Sequence, residues 1–308
     1  MMRSRHQKRP FSAESPASSS SLSRLVIHWN ELPDWRKDNA FIHTGYRATS
    51  NSLHACFRSL SYLHNETVNI WSHLVGSIGF VLIAAYLYAV IAPRYATASP
   101  VDIVIFGAFL SGAVLCLGMS ATYHALSNHS RLVAKWGNKL DYTGIVFLIV
   151  GSYVPALYYG FYCDVALRTL YTIMIFTFGF GCILVSWIEH FRTPEWRPYR
   201  AFMFIALGAS GIVPILQGLE KHNWAYLQKT MSLDLVILHG VMYVAGALLY
   251  AARWPERTWP GAFDHFGSSH QIFHGFVLLA ALTHLYAMAL AFDHHHTNTI
   301  NIGCEWNR

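Results

Sequence analysis

Charged residues are scarce in this sequence. Asp, Glu, Lys and Arg make up only 12% of its 308 residues, which is about half of their share in soluble domains. Hydrophobic residues make up 54% and aromatic residues 15%. A charged fraction this low is typical of helices that lie in lipid, where a charged side chain is costly. The composition therefore excludes an ordinary soluble domain and indicates an integral membrane protein.

The sequence also lacks the short motifs of several enzyme classes. It contains no HExxH, no GxSxG and no glycine loop that could cradle a phosphate. In HQIFH, Gln271 occupies the position at which a zinc protease carries its catalytic glutamate. The net charge of +6 does not indicate nucleic-acid binding, because Lys and Arg lie between apolar runs and form no single basic patch.

Cysteine provides no disulfide framework. The five cysteines include no CxxC pair. Cys116 and Cys182 lie inside apolar runs and are expected to be packed thiols. Cys163 and Cys304 would share one side of the membrane in the topology given below, so a bridge between them remains open.

Seven apolar runs dominate the chain, each close to the ~20 residues that cross a hydrocarbon core. They cover residues 72–92, 101–125, 141–161, 167–188, 201–219, 233–252 and 270–291. The connections are short, so consecutive helices should be neighbours. The sequence therefore predicts an all-α fold of seven transmembrane helices in the plasma membrane or an endomembrane.

Four segments with different compositions follow one another. Residues 1–25 are basic and rich in serine, which predicts a disordered tail. Residues 26–71 mix polar and aromatic side chains and are expected to form an amphipathic entry segment on the membrane surface. Residues 72–292 would form the seven-helix bundle, and residues 293–308 a short tail on its far side.

The distribution of Lys and Arg predicts the orientation. The loops on one side hold eight of them: Arg131, Lys135, Lys139, Arg192, Arg197, Arg200, Arg253 and Arg257. The region before the first helix adds nine more on that side, whereas the opposite side holds five. Because cytoplasmic loops carry the excess of Lys and Arg, we expect a cytosolic N-terminus and a C-terminus outside.

Five polar residues from three distant segments should reach one layer of this bundle. Ser120 and His124 end the second helix, Asp141 begins the third, and His270 and His274 begin the seventh. His270 and His274 lie one helical turn apart, so both imidazoles can bind one ion. Three histidines with one open position are the ligand set of a catalytic zinc site. A carboxylate at this depth is costly unless it is paired, and a cation would stabilise it.

Each of these residues also has a plainer explanation. His124 could be an interfacial histidine at a helix end. Asp141 could cap the third helix or pair with Lys139 or Arg131. Ser120 could be a helix-packing contact.

Other polar residues suggest simpler roles. His239 and His284 lie within the sixth and seventh runs and are expected to be packing or hydrogen-bonded residues. Asp102 begins a helix and should cap it. The run Asp293–His296 should be exposed, where it could bind metal only adventitiously.

Several segments resemble those of a known family. HNETVNIWSHLVGS (64–77), SATYH (120–124), KLDYTG (139–144) and SHQIFH (269–274) resemble the signature segments of the progestin and adiponectin receptor (PAQR) family, which is related to the hemolysin III proteins. ELPDWRKDNAFIHTGYR (31–47) and ACFRS (55–59) are most similar to adiponectin receptors and their fungal osmotin-receptor-like relatives. The likeness covers about residues 30–290.

The resemblance implies a seven-helix fold with a zinc ion near the inner leaflet. It implies that His124, His270 and His274 are the zinc ligands. Asp141 would hold the zinc-bound water and act as general base, and Ser120 would lie just outside the ligands.

The same resemblance also extends to the segment before the first helix. Glu66, Asn69 and His73 match the family there, and we expect a structural role that joins the entry segment to the bundle.

The expected activity is hydrolysis of a lipid amide by a zinc-dependent, ceramidase-like site with receptor-like regulation. The implied partners are membrane lipids, a ceramide-like substrate or fatty acid, and an extracellular protein ligand, with no nucleic acid. Two alternatives remain open: a non-catalytic receptor in which zinc is structural, and a regulator of zinc or sterol homeostasis.

Overall fold

We describe a computed structural model of the protein over residues 25–297. Nearly all of the predicted basic tail, and Cys304, lie outside these described residues, whereas Cys163 is disulfide-bonded. The α-helices of the described chain are α1 (Leu53–Ser59), α2 (Thr67–Tyr86), α3 (Pro100–Leu126), α4 (Arg131–Gly160), α5 (Val165–Trp187), α6 (Arg197–Ala209), α7 (Ile212–Lys221), α8 (Trp224–Met231), α9 (Leu233–Ala252) and α10 (Ser269–Thr297).

Seven stretches of the described chain are long and apolar enough to cross a membrane. They are Thr67–Arg94, Pro100–Leu126, Arg131–Gly160, Val165–Trp187, Pro194–Lys221, Leu233–Ala252 and Ser269–Thr297. We refer to them as the first to the seventh span. The predicted all-α fold with seven membrane spans is confirmed, and the protein is an integral multi-pass membrane protein.

The third span begins ten residues before its predicted start. The Ser130 hydroxyl accepts a hydrogen bond from the Val133 amide, so it caps α4 at its first turn. The helix continues through a stretch of mixed polarity, where the Lys139 ammonium lies 4.8 Å from the centre of the Trp136 ring. Asp141 therefore lies inside α4, and its interpretation as a cap of this helix is wrong.

The fifth span is broken into two helices. α6 ends at Ala209 and α7 begins at Ile212. The Tyr153 hydroxyl donates to the Gly208 carbonyl at 2.7 Å, which satisfies an acceptor that the break leaves free. α6 packs against α9, whereas α7 makes little contact with α9. The fifth and sixth spans therefore lie apart over the half of the fifth span that α7 forms.

The entry segment is fixed to one end of the bundle, which we call the N-terminal face. Arg47 is only 1% exposed, and its guanidinium donates to the carbonyls of His124 at 2.6 Å and Ala125 at 2.9 Å. These carbonyls belong to the last turn of α3, where a cation is favourable. The Asp264 carboxylate accepts from the backbone amides of His43 and Thr44, which ties the loop before α10 to the same segment.

Candidate metal centre

Three imidazole rings meet near the N-terminal face. His124 lies in the last turns of α3, and His270 and His274 lie in the first turns of α10. The ring centres are 4.8 to 5.0 Å apart, and one ring nitrogen of each residue lies within 4.8 Å of the others. His124 and His274 are each 2% exposed. The three predicted ligands are therefore brought together in a geometry that could hold a metal ion.

Hydrogen bonds orient two of these rings. His124 Nδ1 lies 2.7 Å from Glu66 Oε2, and His274 Nδ1 lies 3.2 Å from the Asn69 carbonyl oxygen. When Nδ1 donates to these oxygens, Nε2 is left without a proton and can bind a metal. His124 Nε2 is buried and has no hydrogen-bond partner in residues 25–297. An unsatisfied buried nitrogen costs about 1–3 kcal/mol, so the donor set fits a cation.

The Glu66 carboxylate carries the negative charge nearest to His124. Burial by itself raises the pKa of this carboxyl group. The charge of His124 and the hydrogen bond with it lower the pKa by more than burial raises it. The Asn69 amide also donates to Glu66 Oε2 at 2.6 Å. The net effect is a pKa below the usual range, so Glu66 is ionised at neutral pH.

Residues at the start of the first span therefore contact the histidines directly. Glu66 and Asn69 were expected only to join the entry segment to the bundle, yet both are hydrogen-bond partners of the candidate ligands. His73 stacks on His274 with ring centres 3.6 Å apart and an angle of 7° between the rings. The signal that could have shown this is the spacing of the three residues, which puts them on one face of a helix.

Asp141 and Ser120 lie beside the histidines. Both are buried and line the same cavity as His270 and His274. The Asp141 carboxyl group interacts with the His124 ring and with the Ser120 hydroxyl. The structure thus brings both side chains next to the three histidines, and their predicted roles stay predictions.

A cavity of about 660 Å³ extends from the histidines between α4, α6, α7, α9 and α10. Its lining is mainly apolar. Ile212, Val241 and Leu248 line it and are also exposed on the outside of the bundle, where the fifth and sixth spans separate. The cavity therefore extends from the histidines to the outer surface of the bundle.

The far end of the bundle differs from one expectation. The run Asp293–His296 was expected to be exposed, but α10 continues through it and His295 is buried beside Tyr159 and Tyr162. Asp102 accepts from the Ser99 amide and hydroxyl, each at 2.9 Å, which confirms its predicted capping role.

The sequence is similar to membrane receptors and heptahelical proteins from several organisms. The family described as haemolysin-III related matches residues 61–285. The ADIPOR-like receptor IZH2 of Saccharomyces cerevisiae is 41% identical over 285 residues, which cover 92% of this chain and 90% of the yeast protein. The adiponectin receptor protein of Drosophila melanogaster is 42% identical over 264 residues, covering 86% of this chain and 59% of the fly protein. Heptahelical transmembrane protein 1 of Arabidopsis thaliana is 36% identical over 278 residues, which cover 87% of this chain and 81% of the plant protein.

Proposed function

The chain belongs to the haemolysin-III related family of multi-pass membrane proteins, and from this membership we propose that it is a zinc-dependent lipid amide hydrolase with receptor-like regulation. The main support is the buried, unpartnered Nε2 of His124, which lies beside two further imidazoles at the end of a cavity open to lipid. The substrate would be a ceramide-like amide.

Zinc is the metal that the donor set favours. Neutral imidazole is a good zinc ligand, and three protein ligands leave one position for water or substrate. A zinc ion bound by His124, His270 and His274 would lower the pKa of its water to about 7 and polarise an amide carbonyl. The Nδ1 hydrogen bonds of His124 and His274 would keep these two rings in the tautomer that binds metal.

The side chains around the histidines would move the protons. The Asp141 carboxylate would accept a proton from the attacking water and return it to the nitrogen of the leaving amine. The products would be a carboxylic acid and a free amine, so atoms and charge balance. The Ser120 hydroxyl, which interacts with Asp141, would hold that carboxylate in place.

The cavity would select the substrate. Its mainly apolar lining and its opening between the fifth and sixth spans suit an acyl chain that enters from the bilayer. Most soluble amides would gain nothing from this lining. Burial of apolar surface contributes about 25 cal/mol per Å², so the long chain would supply much of the binding free energy.

A second candidate function is a non-catalytic receptor whose metal is structural. The observation that favours it is the position of the histidines, since a bound metal would tie the end of α3 to the start of α10. The names of the relatives, an ADIPOR-like receptor and an adiponectin receptor protein, agree with a receptor role in either case.

Metal analysis combined with a ceramide hydrolysis assay tests the proposal on the purified full chain in lipid nanodiscs. We expect about one zinc per chain in the wild type. The double variant His270→Ala/His274→Ala should lose both zinc and hydrolysis, whereas Asp141→Asn should keep zinc and lose hydrolysis. His190, an exposed histidine outside the centre, provides the control His190→Ala, which should keep both.

The two candidate functions give different results in this experiment. Bound zinc without ceramide turnover in the wild type would support the receptor with structural metal and contradict the hydrolase. A wild-type protein that holds no zinc would contradict both.

A further inference from the structure

A second group of polar side chains lies in the middle of the bundle. His239 and Tyr243 belong to α9, His284 to α10 and Ser152 to α4. The ring centres of His239 and His284 are 4.7 Å apart, and those of His239 and Tyr243 are 5.8 Å apart. All four residues line the cavity that begins at His270 and His274. We call them the midspan cluster.

Two members of this cluster have buried polar atoms without a partner, whereas the Ser152 hydroxyl donates to the Leu148 carbonyl. His284 is 1% exposed, and neither of its ring nitrogens has a hydrogen-bond partner in the described part of the chain. The hydroxyl of Tyr243 is also buried without a partner there. The packing role expected for His284 is present, since its ring lies 4.8 Å from that of Phe109. The backbone of Ser152 interacts with this ring, but no described partner lies within hydrogen-bond distance of either ring nitrogen.

Unpaired polar groups at this depth need an explanation. Each is destabilising when it is buried without a partner, and the hydrocarbon region offers no water to satisfy it. If packing against Phe109 were the only role of His284, an apolar ring would fill this position better. The free nitrogens and the hydroxyl face a cavity, so a molecule within the cavity can supply their hydrogen bonds.

The chemistry of the cluster indicates a neutral ligand group. Asp141 and Arg200 are the only charged side chains among the described residues that line the cavity. Arg200 contacts the ring of Tyr142, next to Asp141 and away from the cluster. The midspan cluster therefore offers nothing to neutralise a carboxylate or an ammonium group. The described residues also show metal-ligand spacing only at His124, His270 and His274, so the cluster is not a second metal site.

A hydroxyl group matches the available donors and acceptors. His239 Nδ1 lies 3.4 Å from the Leu235 carbonyl oxygen, so this ring nitrogen donates and Nε2 remains an acceptor. The Tyr243 hydroxyl can donate, and His284 can do either. A hydroxyl needs both an acceptor for its proton and a donor for its oxygen, and the cluster provides both.

The position along α10 sets the distance between the two polar ends of the ligand. His284 follows His274 by ten residues on one helix, which corresponds to about 15 Å along the axis. We propose that the midspan cluster binds a hydroxyl group on the chain of the lipid in the cavity, about 15 Å from the group held at the three histidines. This inference rests on the proposed function only in taking the cavity as the lipid site, and it narrows the ligand to a chain-hydroxylated lipid.

Equilibrium binding of three fatty acids to the full chain in nanodiscs tests the assignment. The probes are 12-hydroxyoctadecanoic acid, whose hydroxyl lies at about the required distance, 2-hydroxyoctadecanoic acid and octadecanoic acid, each displacing a fluorescent fatty acid. The wild type should bind the first about fivefold to tenfold more tightly than the other two, as expected for one or two hydrogen bonds.

Two variants locate the source of this preference. Tyr243→Phe removes a single oxygen and His284→Phe keeps a ring of similar size, and each should reduce the preference to less than about twofold. Thr283 neighbours His284 but is not among the described residues that line the cavity, and its hydroxyl donates to the Leu279 carbonyl of its own helix. Thr283→Val should therefore keep the full preference.

Several outcomes would overturn the assignment. They are equal binding of the three acids by the wild type, no binding of any of them, and a preference that survives in both Tyr243→Phe and His284→Phe. The readout is a ratio of affinities and needs no turnover. A protein that lacks zinc or hydrolyses no ceramide would contradict the proposed function and still give this ratio, so the two failures can be told apart.

Discussion

Glu66 shows how a residue outside the three candidate ligands can orient one of them. Its carboxylate lies 2.7 Å from His124 Nδ1 and also accepts a hydrogen bond from Asn69. Since Asn69 offers its carbonyl to His274, two residues three positions apart orient two of the three imidazoles. Such partners fix the tautomer of the ring and raise the basicity of the nitrogen that binds metal.

Replacement of Glu66 by Gln should weaken zinc binding about 10- to 100-fold, because the amide keeps the size of the side chain but loses its charge. Competition with a zinc chelator measures this affinity. Glu220→Gln, which changes an exposed carboxylate on α7, is the matched control and should not alter it. Unchanged affinity in the Glu66 variant would show that this carboxylate does not orient His124.

At the scale of the helices, the packing of α3 against α4 is the most extensive contact of the bundle. A Cβ atom at Gly112 would lie 2.5 Å from the Phe147 carbonyl oxygen, and one at Gly144 would lie 2.9 Å from the Cα of Cys116. Both positions therefore require glycine, because the two backbones approach so closely. This approach sets the distance between His124 on α3 and Asp141 on α4.

Gly112→Ala should lower the stability of the protein by about 1–3 kcal/mol, since the new methyl group meets a backbone atom that cannot move independently. Gly107 lies on the same helix, and a Cβ there would meet nothing within 4 Å. Gly107→Ala should be neutral or stabilising by up to about 1 kcal/mol, because alanine favours the helix. Thermal unfolding in detergent compares the two variants, and equal melting temperatures would contradict the close-packing argument.

At the scale of the whole molecule, the candidate metal centre joins parts of the chain that are far apart in sequence. His124 ends α3, His270 and His274 begin α10, and Glu66 and Asn69 precede or open the first span. Arg47 connects the entry segment to the same end of α3. A metal ion at this junction would therefore stabilise the fold, in addition to any chemical role that it has.

Removal of zinc with a chelator should lower the melting temperature of the wild-type protein. A ligand present at 100 times its dissociation constant stabilises the folded state by about 2.7 kcal/mol, and the chelator removes this contribution. Zinc added back should restore the original melting temperature. The His270→Ala/His274→Ala variant should melt at the same temperature with and without chelator, and a chelator effect of wild-type size in that variant would contradict this site.

The residues of the candidate site were largely recognisable from the sequence, but their surroundings were not. His124, His270, His274, Asp141 and Ser120 could be assigned to one layer because each lies at a predictable end of an apolar run. The contacts of Glu66 and Asn69 were harder to predict, since their spacing puts them on one face of a helix but does not show which other helix that face will meet.

Two features of the helices also escaped the sequence patterns. Four of the first ten residues of α4 are polar or charged, namely Arg131, Lys135, Asn138 and Lys139, and they lowered the hydrophobicity by which the span was placed, although Ser130 provides an ordinary helix cap. The break between α6 and α7 falls beside Gly208 and Gly211, glycines at which a membrane helix can kink, but the contact from Tyr153 was not predictable: its hydroxyl satisfies a carbonyl from another helix. Such a contact depends on tertiary packing and leaves no periodicity in the sequence.

The sequence by itself determined that seven helices cross a membrane, because a chain with so few charges and apolar runs of this length can satisfy its backbone in lipid only as helices. It also supplied the three histidines. Only the tertiary structure decided which nitrogens of these rings are free, where the fifth and sixth spans separate, and that His239, Tyr243 and His284 share one cavity. These features depend on the rotation and approach of helices about one another, which weak and distributed packing interactions between them set.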